Sequence, residues 1–169
     1  LCACFLVLSS SAQTGRILSV YLQVQYTHTL SDRTPGNNPW APGVGLQTFL
    51  NTGSRFKPVV ECTADAYLYD DKVMRLTPDE EEIESIDGVV NLFAGASFHP
   101  DKLVYLSLSA GPSFINGRTL AGIKPSFGFY LSRKQRWIFK ASYIHVFNRE
   151  PLSKLDFSSA SFALGCRLF

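Results

Sequence analysis

From residue 16 onward, apolar and polar positions alternate with a period of two. In RILSVYLQVQYTHTL, Leu18, Val20, Leu22, Val24 and Tyr26 share one face, and Ser19, Tyr21, Gln23, Gln25, Thr27 and Thr29 the other. Successive side chains of a strand point to opposite faces, so this stretch predicts a strand with one apolar and one polar side. GVGLQTFL repeats the pattern with Val44, Leu46 and Leu50 against Gly45, Gln47 and Asn51. FKPVVECTADAYL sets Phe56, Pro58, Val60, Cys62, Ala64, Ala66 and Leu68 against Lys57, Glu61, Thr63, Asp65 and Tyr67. VVNLFAGASF, LVYLSLSAGPSF, AGIKPSFGFYL and RWIFKASYIHVF follow in the same manner, and DFSSASFALGCRLF makes the eighth.

The connections sort by length. SDRTPGNNPWAP, YDDKVMRLTPDEEEIESID and NREPLSKLD join strands one to two, three to four and seven to eight. NTGS, HPDK and SRKQ join two to three, four to five and six to seven, and INGR between five and six is also short. Eight strands can close without an edge, and long connections at one end with tight turns at the other are the habit of outer-membrane barrels. The polar face carries Lys57, Glu61, Asp65, Lys124 and Lys140 at mid-strand, with Gly and Ser between them. A soluble lipocalin-like carrier would turn its apolar face inward around a ligand. Charges flanked by apolar neighbours instead fit a narrow polar interior inside a lipid-facing wall. The expectation is an all-β, eight-stranded antiparallel up-and-down transmembrane β-barrel over residues 13–169, whose backbone groups all pair within the barrel.

Composition narrows this further. At 169 residues one domain is expected. No apolar run reaches the roughly 18 residues of a spanning helix. Aromatics make up 13%, with thirteen Phe and seven Tyr, which suits pleated structure. The net charge is only +2, and no Lys/Arg run marks a nucleic-acid footprint. Residues 1–12, LCACFLVLSSSA, read as the apolar and cleavage regions of a truncated secretory signal. Cys62 and Cys166 then remain, too few for a disulfide framework. Aromatics gather near strand ends: Phe56, Phe98, Phe129, Trp137 and Phe169 at the short-turn end, Tyr26, Phe114 and Phe157 at the other. They resemble the two interfacial girdles of a membrane barrel.

Strands, turns, signal and terminal Phe169 together resemble the small eight-stranded outer-membrane β-barrel superfamily. The resemblance implies a Gram-negative outer-membrane address, contact with outer-membrane lipid, a monomer, and a Phe169 that forms part of the signal read by the barrel-assembly machinery. It also implies that Phe169, Arg167 and Gly165 face outward. The alternation of this strand instead sets Phe162, Leu164, Cys166 and Leu168 outward. A bulge near the end, or a Phe169 beyond the ladder, would reconcile the two.

Candidate chemistry is sparse. The interior charges read either as an ion or proton path or as a salt-bridge network that plugs the barrel. An eight-stranded barrel is just wide enough for side chains to fill, which favours the plug. SYIHVFN resembles the His-x-Ser-Asn motif of the lipid A deacylases, in which the His is base and the Ser nucleophile. His145 and Asn148 match, but Phe147 stands at the nucleophile position, and a phenyl ring cannot attack an ester. His145 is thus the one candidate catalytic side chain, with an interfacial residue as the plain alternative. TPDEEEIESID reads as a capped short helix, with Thr77, Pro78 and Glu80 forming the start. Its carboxylates lack calcium-loop spacing, and neither His28 nor His99 has a metal-ligand partner at useful spacing. No cofactor, metal or nucleic-acid partner is expected. The expected function is that of a non-enzymatic outer-membrane barrel with a plugged polar lumen, acting structurally or through its long outer loops. The alternatives are a deacylase-like enzyme and a secreted lipocalin-like carrier.

Overall fold

A computed structural model describes residues 17–30, 34, 38–68, 86–147 and 156–168. Residues 1–12, expected to be a signal, Asn148, Phe169 and the acidic stretch around Thr77 lie outside the described residues. Eight strands follow in chain order: β1 (Leu18–Thr29), β2 (Trp40–Leu50), β3 (Phe56–Ala66), β4 (Gly88–Phe98), β5 (Val104–Ile115), β6 (Arg118–Tyr130), β7 (Trp137–Phe147) and β8 (Phe157–Arg167). Each pairs antiparallel with its neighbour, and β8 returns to β1 from Tyr21↔Arg167 to Thr29↔Ser159, closing the barrel. Strands of 11 to 13 residues match or slightly exceed the roughly 9–11 that a tilted strand needs to cross a bilayer core.

The alternation sets which side chains enter the barrel. Leu108 is 62% exposed, Val24 60% and Phe162 56%, whereas Lys124 and Lys140 are fully buried and Glu61 is 3% exposed. The usual arrangement of a water-soluble domain is reversed: aliphatic side chains line the outside and charged ones the centre. The β8 alternation holds to its end. Leu164 and Leu168 are outward, and the Arg167 guanidinium turns to Ser19 at the lumen mouth. No residue is inserted in the β8–β1 ladder over its paired length.

Three departures from the sequence reading have local causes. β2 starts at Trp40, earlier than GVGLQTFL, because Trp40 and Ala41 continue the pairing with His28 and Thr27. Phe157 is buried, one step out of phase with Ser158 and Phe162, so it belongs to the interior and not to a girdle. The interior is also not uniformly polar. Towards the long-connection end Val89, Phe93, Ile115, Ile144, Val146 and Phe157 cluster inside the barrel. Towards the short turns Tyr21, Phe49, Val59, Tyr105, Tyr130 and Ile138 form a second cluster. The charged centre lies between two apolar layers.

Two glycines are required by the geometry. Asn116 and Gly117 have φ of 49° and 74°, the left-handed pair that closes a two-residue hairpin with the twist of its strands. Gly128 lies opposite Tyr105, and a Cβ there would fall 2.2 Å from the tyrosine ring. Its bare backbone gives that ring its place in the lumen.

Candidate functional sites in the lumen and on the β7–β8 face

The lumen centre is built across the barrel. Glu61 enters from β3, Lys124 from β6 and Lys140 from β7, three inward positions that the alternation selects independently. Lys124 Nζ donates to Glu61 Oε1 at 2.5 Å and Lys140 Nζ to the same oxygen at 2.6 Å. Lys140 also donates to Gln23 Oε1 at 2.8 Å and Gln47 Oε1 at 3.2 Å. One carboxylate therefore faces two buried ammonium groups, and two amide oxygens take the remaining donors of Lys140. Charges this deep persist when each is paired and hydrogen-bonded.

The other two predicted lumen charges bind elsewhere. Asp65 Oδ1 accepts from Gln25 Nε2 at 2.6 Å and Thr27 Oγ1 at 2.9 Å, nearer the long connections. Lys57 Nζ donates to Asn51 Oδ1 at 3.2 Å at the opposite mouth, where Asn51 Nδ2 and Arg167 Nη2 both donate to Ser19 Oγ. Alternation gave the face of each charge but not its partners. Gln23, Gln47 and Tyr105, absent from the predicted set, complete the centre. Their signal was inward parity on strands next to the charged ones.

His99 sits just past β4 under the short-turn cluster. Its ring stacks on Tyr105 and Tyr130 with centroids 5.5 and 6.2 Å away, and Phe49 meets it edge-on. Nε2 lies 3.1 Å from Ser97 Oγ. Burial, reinforced by the Lys57 charge, lowers its pKa to about 4, so the ring is neutral near pH 7.

On the outer surface Tyr26, Phe56, Phe98, Phe114, Phe129 and Trp137, the predicted interfacial aromatics other than the buried Phe157 and the undescribed Phe169, face away from the lumen. Tyr26 is 51% exposed and stacks on Trp40 at 5.0 Å. Phe56 and Phe98 pair across β3–β4 at 4.8 Å, Phe129 packs on Phe139 at 5.2 Å, and Phe114 and Trp137 are exposed.

His145 is not isolated. The β7–β8 register places it opposite Ser158, and its Nδ1 lies 2.9 Å from Ser158 Oγ. Its Nε2 lies 3.3 Å from Asp156 Oδ2. Tyr143 OH donates to Ser158 Oγ at 3.1 Å, and Phe147 meets the imidazole edge-on at 4.6 Å. The motif SYIHVFN could not reveal this, because the serine comes from the next strand. Among the described residues no group of three or more His, Cys, Asp or Glu is placed to hold a metal.

These features define a class: a closed eight-stranded up-and-down β-barrel with an aliphatic exterior and a charged interior. Two solved structures of one protein share this fold. The crystal structure of Ail, the attachment invasion locus protein of Yersinia pestis, superposes with a TM-score of 0.57 at 12% identity, over 89% of this chain and 97% of that one. The backbone structure of the Yersinia pestis outer membrane protein Ail in a phospholipid bilayer nanodisc gives 0.58 at 11% identity, over 89% and 99%. The shared feature is the fold. No protein-family model matches the chain, and no curated protein matches its sequence.

Proposed function

We propose that the chain is a monomeric integral barrel of a Gram-negative outer membrane, closed to diffusion, with a structural or surface-contact role through its long connections. The observation that carries this is the reversed polarity: Leu108, Val24 and Phe162 outside, Glu61, Lys124 and Lys140 inside. Water would disfavour such a wall, and a hydrocarbon environment stabilises it. A lipocalin-like carrier needs the opposite arrangement. The paired triad and the apolar layers on either side of it support a plugged lumen. That the fold neighbours are named for attachment and invasion supports a surface-contact role. Outer-membrane lipid and the assembly machinery that reads Phe169 are the proposed partners. The test is membrane fractionation with electrophoresis of heated and unheated samples. A membrane-bound, heat-modifiable barrel without single-channel conductance is expected, and a freely soluble folded protein would overturn the reading.

A second reading is favoured by the contacts of His145. With Asp156 accepting from Nε2–H, Nδ1 keeps its lone pair towards Ser158, the arrangement in which a serine hydroxyl becomes a nucleophile. On this reading the barrel is a hydrolase of lipid esters in the deacylase manner, with Ser158 taking the role that Phe147 cannot. A fluorophosphonate probe and a mass spectrum of lipid A separate the two readings. Labelling at Ser158 that is lost in Ser158→Ala, together with a missing acyl chain, selects the enzyme. No labelling and an unchanged acyl pattern select the non-enzymatic barrel.

A further inference from the structure

The three tight turns are joined edge to edge. His99 N donates to Arg55 O at 2.8 Å, which ties the β2–β3 turn to the β4–β5 turn. Gln135 Nε2 donates to Lys102 O at 2.9 Å, which ties the β4–β5 turn to the β6–β7 turn. Arg167 N donates to Arg136 O at 2.7 Å, which ties the β6–β7 turn to the end of β8. Tyr21 OH reaches from the lumen to Gln135 O at 3.0 Å and holds the β6–β7 turn from beneath. Each of these bonds fixes the backbone at or beside a cationic residue.

Segments 51–55, 99–103 and 131–136 carry Arg55, Lys102, Arg133, Lys134 and Arg136, all exposed, against the single carboxylate Asp101. Neighbouring hairpins of a sheet sit two strand spacings apart, roughly 10 Å. That is close to the Debye length of about 8–10 Å at moderate salt, so the cations act as one field. They also alternate with apolar side chains. Arg55 precedes the 62% exposed Phe56, and Arg136 precedes the 46% exposed Trp137. Cationic groups thus stand directly beside rings on the lipid-facing wall.

We propose that this short-turn rim is a binding collar for the anionic headgroups of phospholipids in the leaflet that surrounds it. The proposal rests on the membrane-barrel reading. Phosphate is the acceptor that five exposed cations beside an aliphatic wall can meet without leaving the membrane plane. An acidic polypeptide would require a platform facing away from the wall.

Trp40 lies at the opposite end of the barrel, so Trp40→Phe leaves Trp137 as the reporter at the rim. The barrel in this background is reconstituted in phosphatidylcholine vesicles that contain brominated phosphatidylglycerol or, in parallel, brominated phosphatidylcholine at equal mole fraction. Quenching should report enrichment of the anionic lipid of at least about fivefold, the effect of one surface cation. Enrichment should vanish in Arg55→Gln/Lys102→Gln/Arg133→Gln/Lys134→Gln/Arg136→Gln, whose exposed substitutions leave the heat-modifiable fold intact. Equal quenching by the two lipids overturns the collar. If polyglutamate then binds the barrel in phosphatidylcholine nanodiscs, the rim belongs to an acidic polypeptide. Quenching by neither lipid signals failure of the membrane reading itself.

Discussion

Glu61→Gln is the sharpest test of the lumen. The substitution preserves shape and removes the one carboxylate that Lys124 and Lys140 share at 2.5 and 2.6 Å. Lys140 keeps Gln23 and Gln47 as acceptors, whereas Lys124 loses its carboxylate partner at a fully buried position. Removing one member of a buried ion pair costs about 3–5 kcal/mol, because the remaining charge stays desolvated. With a urea dependence of about 2 kcal/mol per molar, a loss of about 4 kcal/mol lowers the unfolding midpoint by about 2 M. The assay is equilibrium urea unfolding of the vesicle-inserted barrel, followed by tryptophan fluorescence. The apolar variant Glu61→Leu/Lys124→Met/Lys140→Met removes all three charges together and should recover most of the loss, since well-packed apolar side chains replace buried ion pairs at little cost. A midpoint within about 0.5 M of wild type for Glu61→Gln would refute the argument, because the ammonium groups would then be solvated in the lumen. Should Glu61→Gln fail to insert, refolding of the triple variant still separates a charge effect from a packing effect.

Further outcomes follow from single contacts. Gly128→Val places side-chain atoms where the Tyr105 ring lies, and should lower the urea midpoint by an amount that Tyr105→Ala in the same chain partly restores. Stability should fall as pH drops from 6.5 towards 4, because the unfolded chain protonates His99 in that window while the folded ring, with its pKa near 4, resists. His99→Phe keeps the stacking and should flatten that stretch of the pH–midpoint curve. Replacing Asn116 and Gly117 together by Ala forces φ of 49° and 74° on residues that disfavour it, and should slow refolding into vesicles in stopped-flow fluorescence.

The sequence carried the strands well, because a period of two marks both the element and the face of each residue. Val24 and Gln23, or Leu108 and Ser109, could be sorted to outside and inside without any partner in view. Contacts across the barrel were not legible. Lys57, Glu61 and Asp65 lie on one face of one strand, yet only Glu61 meets Lys124 and Lys140. The register and tilt of distant strands decide which side chains share a level. The apolar layers were partly legible: Ile138, Ile144 and Val146 alternate with outward Phe139 and Tyr143, so β7 carries apolar side chains on its inner face on either side of Lys140 and Ser142. Ser158 was hidden for a similar reason, since its pairing with His145 depends on where the β7–β8 ladder starts. The basic rim could not be seen in any one window, because its cations come from three separate turns.

The two-residue hairpin at Asn116–Gly117 leaves one side of its rim low. The other three connections at that end are longer in sequence, 10, 21 and 9 residues between their strands. The hairpin is therefore the place where an epitope can be grafted without altering any of the longer connections. A tag in that position, accessible in whole cells, would report which way up the barrel stands.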